Sequence, residues 1–258
     1  MGKPRFDLNL PQFYWDNEVQ ATGVIVLPNP VFLTQYQEQV VPALECVDRN
    51  QRPWDQLLDF AFFKGKMAGR TLVDAEDEDR IKLAHIADKN RQHLRISITD
   101  LTRVDKSRMP EDFEVDSLHE NICDQIKYKY MVVVDGDASS WLRGPLLLYS
   151  NAVPLVIETR FAPLYQHQWI PWVHYVPVKN DQSDLIEQIK WLKENDEKAQ
   201  EIGQNGKELF LALYGDHQKI KNDAVLTLRK YNSMMNYEPE TPDSKHFHYD
   251  KILGSFDE

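Results

Sequence analysis

The chain has little cysteine, and it lacks any long apolar run. Its 258 residues include only two cysteines, Cys46 and Cys123. Two cysteines form neither the disulfide framework of a small secreted domain nor a zinc-binding pattern. The sequence has no Asn-x-Ser/Thr acceptor, no segment long enough to span a membrane, and no apolar run behind its N-terminal Met1–Arg5. These features predict a chain without a signal peptide that resides in the cytoplasm.

Positively charged residues are fewer than negatively charged ones. The sequence holds 30 Lys and Arg residues against 41 Asp and Glu residues, which gives a net charge of -11. Nucleic acids and anionic membranes are bound through dense Lys and Arg surfaces, so neither is an expected partner. A few arginines in one pocket would still suffice to bind a small anionic ligand. The hydrophobic fraction of 42% indicates a globular protein.

Apolar segments with strand character alternate with helical patterns along the chain. Alternation of this kind is typical of a doubly wound parallel sheet, which binds its ligands at the carboxyl ends of the strands. The predicted strands are residues 23–27, 61–65, 94–98, 131–134, 153–157 and 173–178. The predicted helices cover residues 35–44 and 142–149, and others begin near residue 77, at a cap formed by Ser183, at Asp196 and near Ile220.

Two segments of the second half carry the strongest signal. The first is KYKYMVVVDGD (Lys127–Asp137), a buried strand that enters an acidic, glycine-containing turn. The second is PWVHYVPVK (Pro171–Lys179), followed by Asp181 and by Ser183–Leu185. In this order and spacing they resemble the capsule-associated-protein-like glycosyltransferases, the family that includes the Rumi-type protein O-glucosyltransferases. The resemblance extends over most of the chain.

The resemblance implies a fold and an activity. The fold would be a compact GT-B-like α/β architecture. Residues 1–60 would form a reduced N-terminal acceptor-side region, residues 61–237 a nucleotide-sugar-binding Rossmann-like domain, and residues 238–258 a tail. The activity would be inverting, metal-independent transfer of xylose or glucose from a UDP-sugar to a hydroxyl of a glycan, without a cofactor.

The family's F-[RK]-G-S-R-T…E-R segment implies part of the nucleotide-sugar site. Phe63, Lys64 and Gly65 match the start of this segment, although the serine that follows the glycine in the family is a lysine here. Arg80 falls on the arginine that binds the nucleotide diphosphate. Arg70 is a weaker candidate for the same role.

A second part of the implied site follows the strand of the first segment. Gly136 ends this strand, and Ala138, Ser139 and Ser140 match a loop of small residues whose backbone N–H groups approach phosphate. The family places a second diphosphate-binding arginine at the start of the next helix. We assign this role to Arg143, which lies one residue beyond the strict family position.

Two other interpretations stay open. Asp135 and Asp137 form an Asp-x-Asp pair after a strand, which is the pattern that metal-dependent GT-A glycosyltransferases use to hold a divalent cation. The family has a glycine turn at this position, so we prefer to interpret the pair as a turn. The third interpretation is a non-catalytic protein that binds a nucleotide sugar or a glycan.

The catalytic base is predicted from its distance to a strand. Inverting transfer needs a carboxylate within hydrogen-bond reach of the acceptor hydroxyl. The family places an aspartate shortly before a P-[VI]-F strand, which Pro30–Phe32 matches. Asp16 lies at nearly the expected distance upstream, and Asp7 is the fallback.

Overall fold

The computed structural model describes residues 12–14, 24–66, 78–101, 105–111, 113–115, 122–135, 142–158 and 163–234. Within these ranges the strands are β1 (Gln12–Tyr14), β2 (Val24–Val26), β3 (Leu58–Gly65), β4 (Leu94–Ile98), β5 (Tyr128–Val133), β6 (Val153–Ile157) and β7 (Val176–Val178). The α-helices are α1 (Pro30–Thr34), α2 (Val41–Asn50), α3 (Glu78–Lys89), α4 (Ile122–Gln125), α5 (Arg143–Tyr149), α6 (Leu185–Glu194), α7 (Asp196–Tyr214) and α8 (His217–Met234). None of the helices in the described ranges is long and apolar enough to cross a membrane.

The centre of the fold is a parallel five-stranded sheet. Its strand order is β4-β3-β5-β6-β7, and every neighbouring pair is parallel. The chain adds strands to one side of β3 and then to the other, so the order reverses between β3 and β5. Doubly wound sheets bind their ligands at this switch point, beyond the carboxyl ends of the strands. The predicted α/β class with a doubly wound parallel sheet is confirmed.

Alternation along the strands divides the core into two layers. Phe63, Tyr130 and Leu155 face the layer that also contains residues of α3 and α6. Phe62 and Met131 face the opposite layer, with residues of α1, α2, α5, α7 and α8. Because successive side chains of a strand point to opposite faces, burial on both faces explains the continuous apolar runs of β5 and β6. The described part of residues 1–60 therefore contributes to the sheet's own core, and the domain boundaries stay predictions.

The segment predicted as a P-[VI]-F strand is helical. Pro30–Thr34 forms α1, and the Asn29 side chain accepts a hydrogen bond from the Val31 N–H at 2.9 Å. Asparagine at the N-cap and proline at the first helical position both favour a helix start. A π-helical turn, Tyr36–Val40, then leads into α2, so the helix predicted at 35–44 lies inside a longer helical region.

Other boundaries also differ from prediction. The strand predicted at 173–178 is limited to β7, because the chain turns at Trp172 (φ 64°), whose N–H donates to the Tyr175 carbonyl at 2.7 Å. Asp184, not Ser183, occupies the N-cap position of α6. The helix predicted from Asp196 to about residue 202 continues to Tyr214.

The two cysteines are joined to each other. A disulfide links Cys46 of α2 to Cys123 of α4 across a sequence separation of 77 residues. The sequence analysis predicted neither a disulfide framework nor a zinc pattern, and it did not pair the two cysteines. The fold brings their two helices, distant in sequence, together on one face of the sheet. Disulfides persist mainly in oxidising compartments. The cytoplasmic localisation stays a prediction.

Helix α7 crosses the start of β6 at very close range, at Gly203. A Cβ atom on Gly203 would lie 2.2 Å from the Asn151 carbonyl oxygen, and Asn151 itself adopts a left-handed backbone conformation with φ 62°. Glycine in mid-helix ordinarily costs about 1 kcal/mol relative to alanine. At this position the close packing favours glycine more strongly than its low helix propensity disfavours it.

We therefore predict that Gly203→Ala lowers the free energy of unfolding by about 1–3 kcal/mol, because the methyl group must displace backbone. Chemical denaturation measures this change. Gln204→Ala, at an exposed position of the same helix, is the control and should change stability by less than about 0.5 kcal/mol. A Gly203→Ala protein that is as stable as the parent would contradict the predicted contact.

Candidate functional site

The candidate site lies at the switch point of the sheet, where Arg80 links two strands. Arg80 is in the first turn of α3, and its Nε donates to the main-chain oxygen of Asp135, just beyond β5, at 3.2 Å. Its Nη1 donates to the main-chain oxygen of Lys66, just beyond β3. One guanidinium therefore connects the carboxyl ends of the two strands between which the strand order reverses.

Phe63 brings a second arginine beside the first. The guanidinium carbons of Arg80 and Arg143 lie 5.5 Å and 5.2 Å from the centroid of the Phe63 ring. Aromatic faces attract cations, so this ring favours the presence of both positive groups. Gly65 leaves space for the ring, since a Cβ atom there would lie 2.9 Å from Phe63 Cζ. Lys64 is buried and points to the opposite face of β3.

Arg143 is an unusual buried cation. Its Nη1 donates to Gln125 Oε1 at 2.9 Å. Its Nε and Nη2 are buried and have no hydrogen-bond partner among the described residues, although the residue as a whole is only half-buried. Burial, and then the nearby charge of Arg80, lowers the pKa of Arg143 to about 10. The guanidinium is still charged at neutral pH.

An uncompensated buried charge is costly, by several kcal/mol after relaxation. No carboxylate in the described ranges forms an ion pair with Arg143. Two donors of a fixed guanidinium fork, beside a second arginine, match the oxygen atoms of a phosphate or carboxylate. The arrangement is therefore suited to an anionic ligand that would satisfy both donors.

A mainly apolar cleft adjoins the two arginines on the α1 side of the sheet. It shares Asp135 with the arginine site and opens beyond the ends of β5 and β6. Aromatic side chains form much of its wall, and Tyr165 donates its hydroxyl hydrogen to Asp223 Oδ2 at 2.9 Å. Its lining residues include Pro28, Asn29, Phe32, Val133, Pro145, Val156, Ile157, Leu164, Tyr165, Trp169 and Tyr214.

The structure brings together four of the residues predicted for the nucleotide-sugar site, namely Phe63, Gly65, Arg80 and Arg143. Lys64 is in the same strand but faces away from Phe63, and its role in the site stays a prediction. The remaining predicted residues lie outside the described ranges: Asp7, Asp16, Arg70, Gly136, Asp137, Ala138, Ser139 and Ser140. Gln125 was not predicted, and no motif in the sequence marks it.

The described residues do not provide a set of ligands for a metal ion. No group of three His, Cys, Asp or Glu side chains within these ranges could hold a metal ion. Asp135 instead offers its main-chain oxygen to Arg80. A guanidinium therefore already places positive charge beside the residue that would be a metal ligand.

Comparison with known sequences identifies the family of the chain. The profile described as "Glycosyl transferase family 90" matches residues 22–252. The chain belongs to glycosyl transferase family 90. It is similar to human Protein O-glucosyltransferase 3, with 30% identity over 247 residues that cover 91% of this chain and 44% of the human protein. The rat Protein O-glucosyltransferase 3 is 33% identical over 210 residues, which cover 76% of this chain and 37% of the rat protein.

This member of family 90 thus spans less than half the length of these two relatives. Structural comparison also supports its fold. The crystal structure of TarM matches with a TM-score of 0.51 at 15% identity, covering 67% of this chain and 35% of TarM. The chain accordingly has the fold of GT-B glycosyltransferases.

The arginine site generates a prediction about small anions. Inorganic pyrophosphate should raise the thermal midpoint of the protein, because a ligand that binds only the native state stabilises it, by about 2.7 kcal/mol at about 100 times its Kd. Arg143→Met should remove most of this shift, while the midpoint without ligand should not fall, because the variant no longer buries a charge. Differential scanning fluorimetry measures both quantities.

Arg91→Met provides the matched control, because Arg91 is exposed and pairs with Asp88 on the surface. It should keep the full response to pyrophosphate. An equal response in the parent and in Arg143→Met would show that the buried guanidinium does not bind the anion.

Proposed function

We propose that this chain is an inverting, metal-independent glycosyltransferase that moves xylose or glucose from a UDP-sugar to a hydroxyl of a glycan. The proposal depends on one observation: two donors of the buried Arg143 guanidinium have no partner among the described residues, and they lie beside Arg80 at the switch point of the sheet. Membership of family 90 indicates the class of reaction. The residues of the site indicate which part of the substrate they bind, namely its diphosphate.

The chemistry of sugar transfer explains why cations are needed there. When the bond between the anomeric carbon and the diphosphate breaks, the bonding electrons leave with UDP, and negative charge grows on its diphosphate. Preorganised donors aimed at this charge stabilise the transition state more than the ground state. Arg143 and Arg80 would bind the diphosphate, and the low dielectric around Arg143 would strengthen the interaction.

The same arginines support metal independence. A divalent cation and a pair of guanidiniums are alternative means of neutralising a leaving diphosphate. Here the guanidiniums already lie at the ends of β3 and β5, and Arg80 is held there by two main-chain oxygens. The GT-A-like alternative, in which Asp135 and Asp137 hold Mn²⁺, would place a metal ion beside this positive charge.

The aromatic cleft gives the ligand a second surface beside the arginines. It shares Asp135 with the arginine site, so a nucleotide sugar with its diphosphate at the arginines would place its sugar or its uracil ring at the mouth of the cleft. Uracil is planar and stacks on aromatic side chains, and a sugar ring packs against them through its C–H face.

We expect UDP to raise the thermal midpoint of the protein equally in the presence and the absence of EDTA, because arginines and not a metal hold the diphosphate. GDP should give a smaller shift if the base is recognised. Fluorimetry with UDP, GDP, UDP-xylose and UDP-glucose checks this expectation. A UDP shift that disappears in EDTA and returns with Mn²⁺ would favour the Asp135/Asp137 metal site.

Asp16 is proposed as the catalytic base on the basis of sequence alone. Asp16→Asn keeps the size of the side chain but cannot accept a proton. It should leave UDP-sugar binding intact and slow transfer about 10²–10⁴-fold, the usual contribution of a general base. The product should have the anomeric configuration opposite to that of the donor, which NMR of the anomeric coupling reports.

Asp7→Asn is the matched control and should retain transfer. Full activity in Asp16→Asn would exclude Asp16 as the base, and a product of retained configuration would exclude inversion. UDP binding without any transfer in the parent chain would favour the non-catalytic binding protein.

A further inference from the structure

Gln125 forms a hydrogen bond with Arg143. It is the last residue of α4, three residues before β5 begins at Tyr128, and it is 5% exposed. Its Oε1 accepts the hydrogen bond from Arg143 Nη1 at 2.9 Å. This hydrogen bond constrains the guanidinium plane, because the five N–H donors of arginine form a rigid planar fork. The Nε and Nη2 donors then have a defined direction.

The chemical identity of this acceptor matters. A buried guanidinium is usually paired with a carboxylate, which satisfies the donors and also cancels the charge. An amide oxygen satisfies one donor and leaves the charge intact. Arg143 therefore keeps its positive charge, although burial and the charge of Arg80 lower its pKa. It also has two donors without a partner among the described residues.

We propose that Gln125 is a positioning residue for the diphosphate site: it orients the Arg143 guanidinium through a neutral hydrogen bond and so preserves its charge for the ligand. This inference rests on the proposed function, since it assigns Arg143 to a diphosphate. It goes further in naming the residue on which the affinity of Arg143 depends.

The disulfide provides the support that this role requires. A helix as short as α4 is not stable by itself, because helix nucleation costs more than a few backbone hydrogen bonds return. Cys123, two residues before Gln125, is bonded to Cys46 of the longer helix α2. Ile126, directly after Gln125, is buried in the same core layer as Cys123. Covalent and apolar contacts therefore fix the backbone on both sides of Gln125.

The experiment compares Gln125→Glu with the parent chain. The new carboxylate would pair with Arg143, so the thermal midpoint of the ligand-free protein should rise. The same pairing would cancel the charge that the diphosphate needs, so Kd for UDP and for inorganic pyrophosphate should increase about 10- to 100-fold, the range expected for charge-assisted hydrogen bonds. Fluorimetry measures the midpoint, and isothermal titration calorimetry measures Kd.

Gln204→Glu is the charge-matched control, because it makes the same change at an exposed position of α7. Its Kd values should equal those of the parent. Cys123→Ala tests the support separately: it should weaken UDP binding and also lower the midpoint, because it loosens α4.

The opposite signs of the two effects distinguish positioning from a merely structural role. Higher stability with weaker binding in Gln125→Glu supports the proposal. Unchanged Kd values in that variant overturn it, and so does weaker binding accompanied by a lower midpoint, which would indicate damage to the fold. If the parent chain binds neither UDP nor pyrophosphate, the proposed function fails, and this inference fails with it.

Discussion

One buried positive charge, with no counter-charge among the residues that the structure describes, governs the organisation of the candidate site. The Arg143 guanidinium has lost most of its contact with water, and its described neighbours include a neutral amide, an aromatic ring and a second arginine. None of these three groups carries a negative charge, so the positive charge of Arg143 is not cancelled and can attract an anionic ligand. A chain selected only for stability would replace such a group with an apolar residue or pair it with a carboxylate. Strain of this kind is typical of sites that are completed by a ligand.

The rest of the fold holds this charge in place. The sheet reverses its strand order beside it, and Arg80 connects the two strand ends through main-chain oxygens. Phe63 lies beneath both guanidiniums, and Gly65 gives its ring the space that a larger residue would occupy. The disulfide holds the helix that carries Gln125. Elements distant in sequence thus converge on a few donor atoms at one end of the sheet.

Much of this architecture could be predicted from sequence, for physical reasons. Strands buried on both faces are continuous apolar runs, so β6 was predicted with its observed bounds, whereas β5 was predicted to start three residues late. Phe63, Gly65, Arg80 and Arg143 belong to local motifs, and the structure brings them together as the motifs imply. The helix at Pro30–Thr34 was missed because a family motif was preferred to the Asn29-Pro30 helix-start signal. The disulfide and the Gln125 contact could not be predicted, since both depend on packing between segments that no local pattern connects.

The most direct test of this account is a crystal structure of the chain with UDP bound. The account predicts that oxygen atoms of the diphosphate lie within hydrogen-bond distance of Arg143 Nε and Nη2, with Gln125 still bonded to Nη1 and no metal ion between the phosphates and the protein. A structure in which UDP binds elsewhere, and in which both Arg143 donors are still without a partner, would contradict the claim that this charge is kept for a diphosphate.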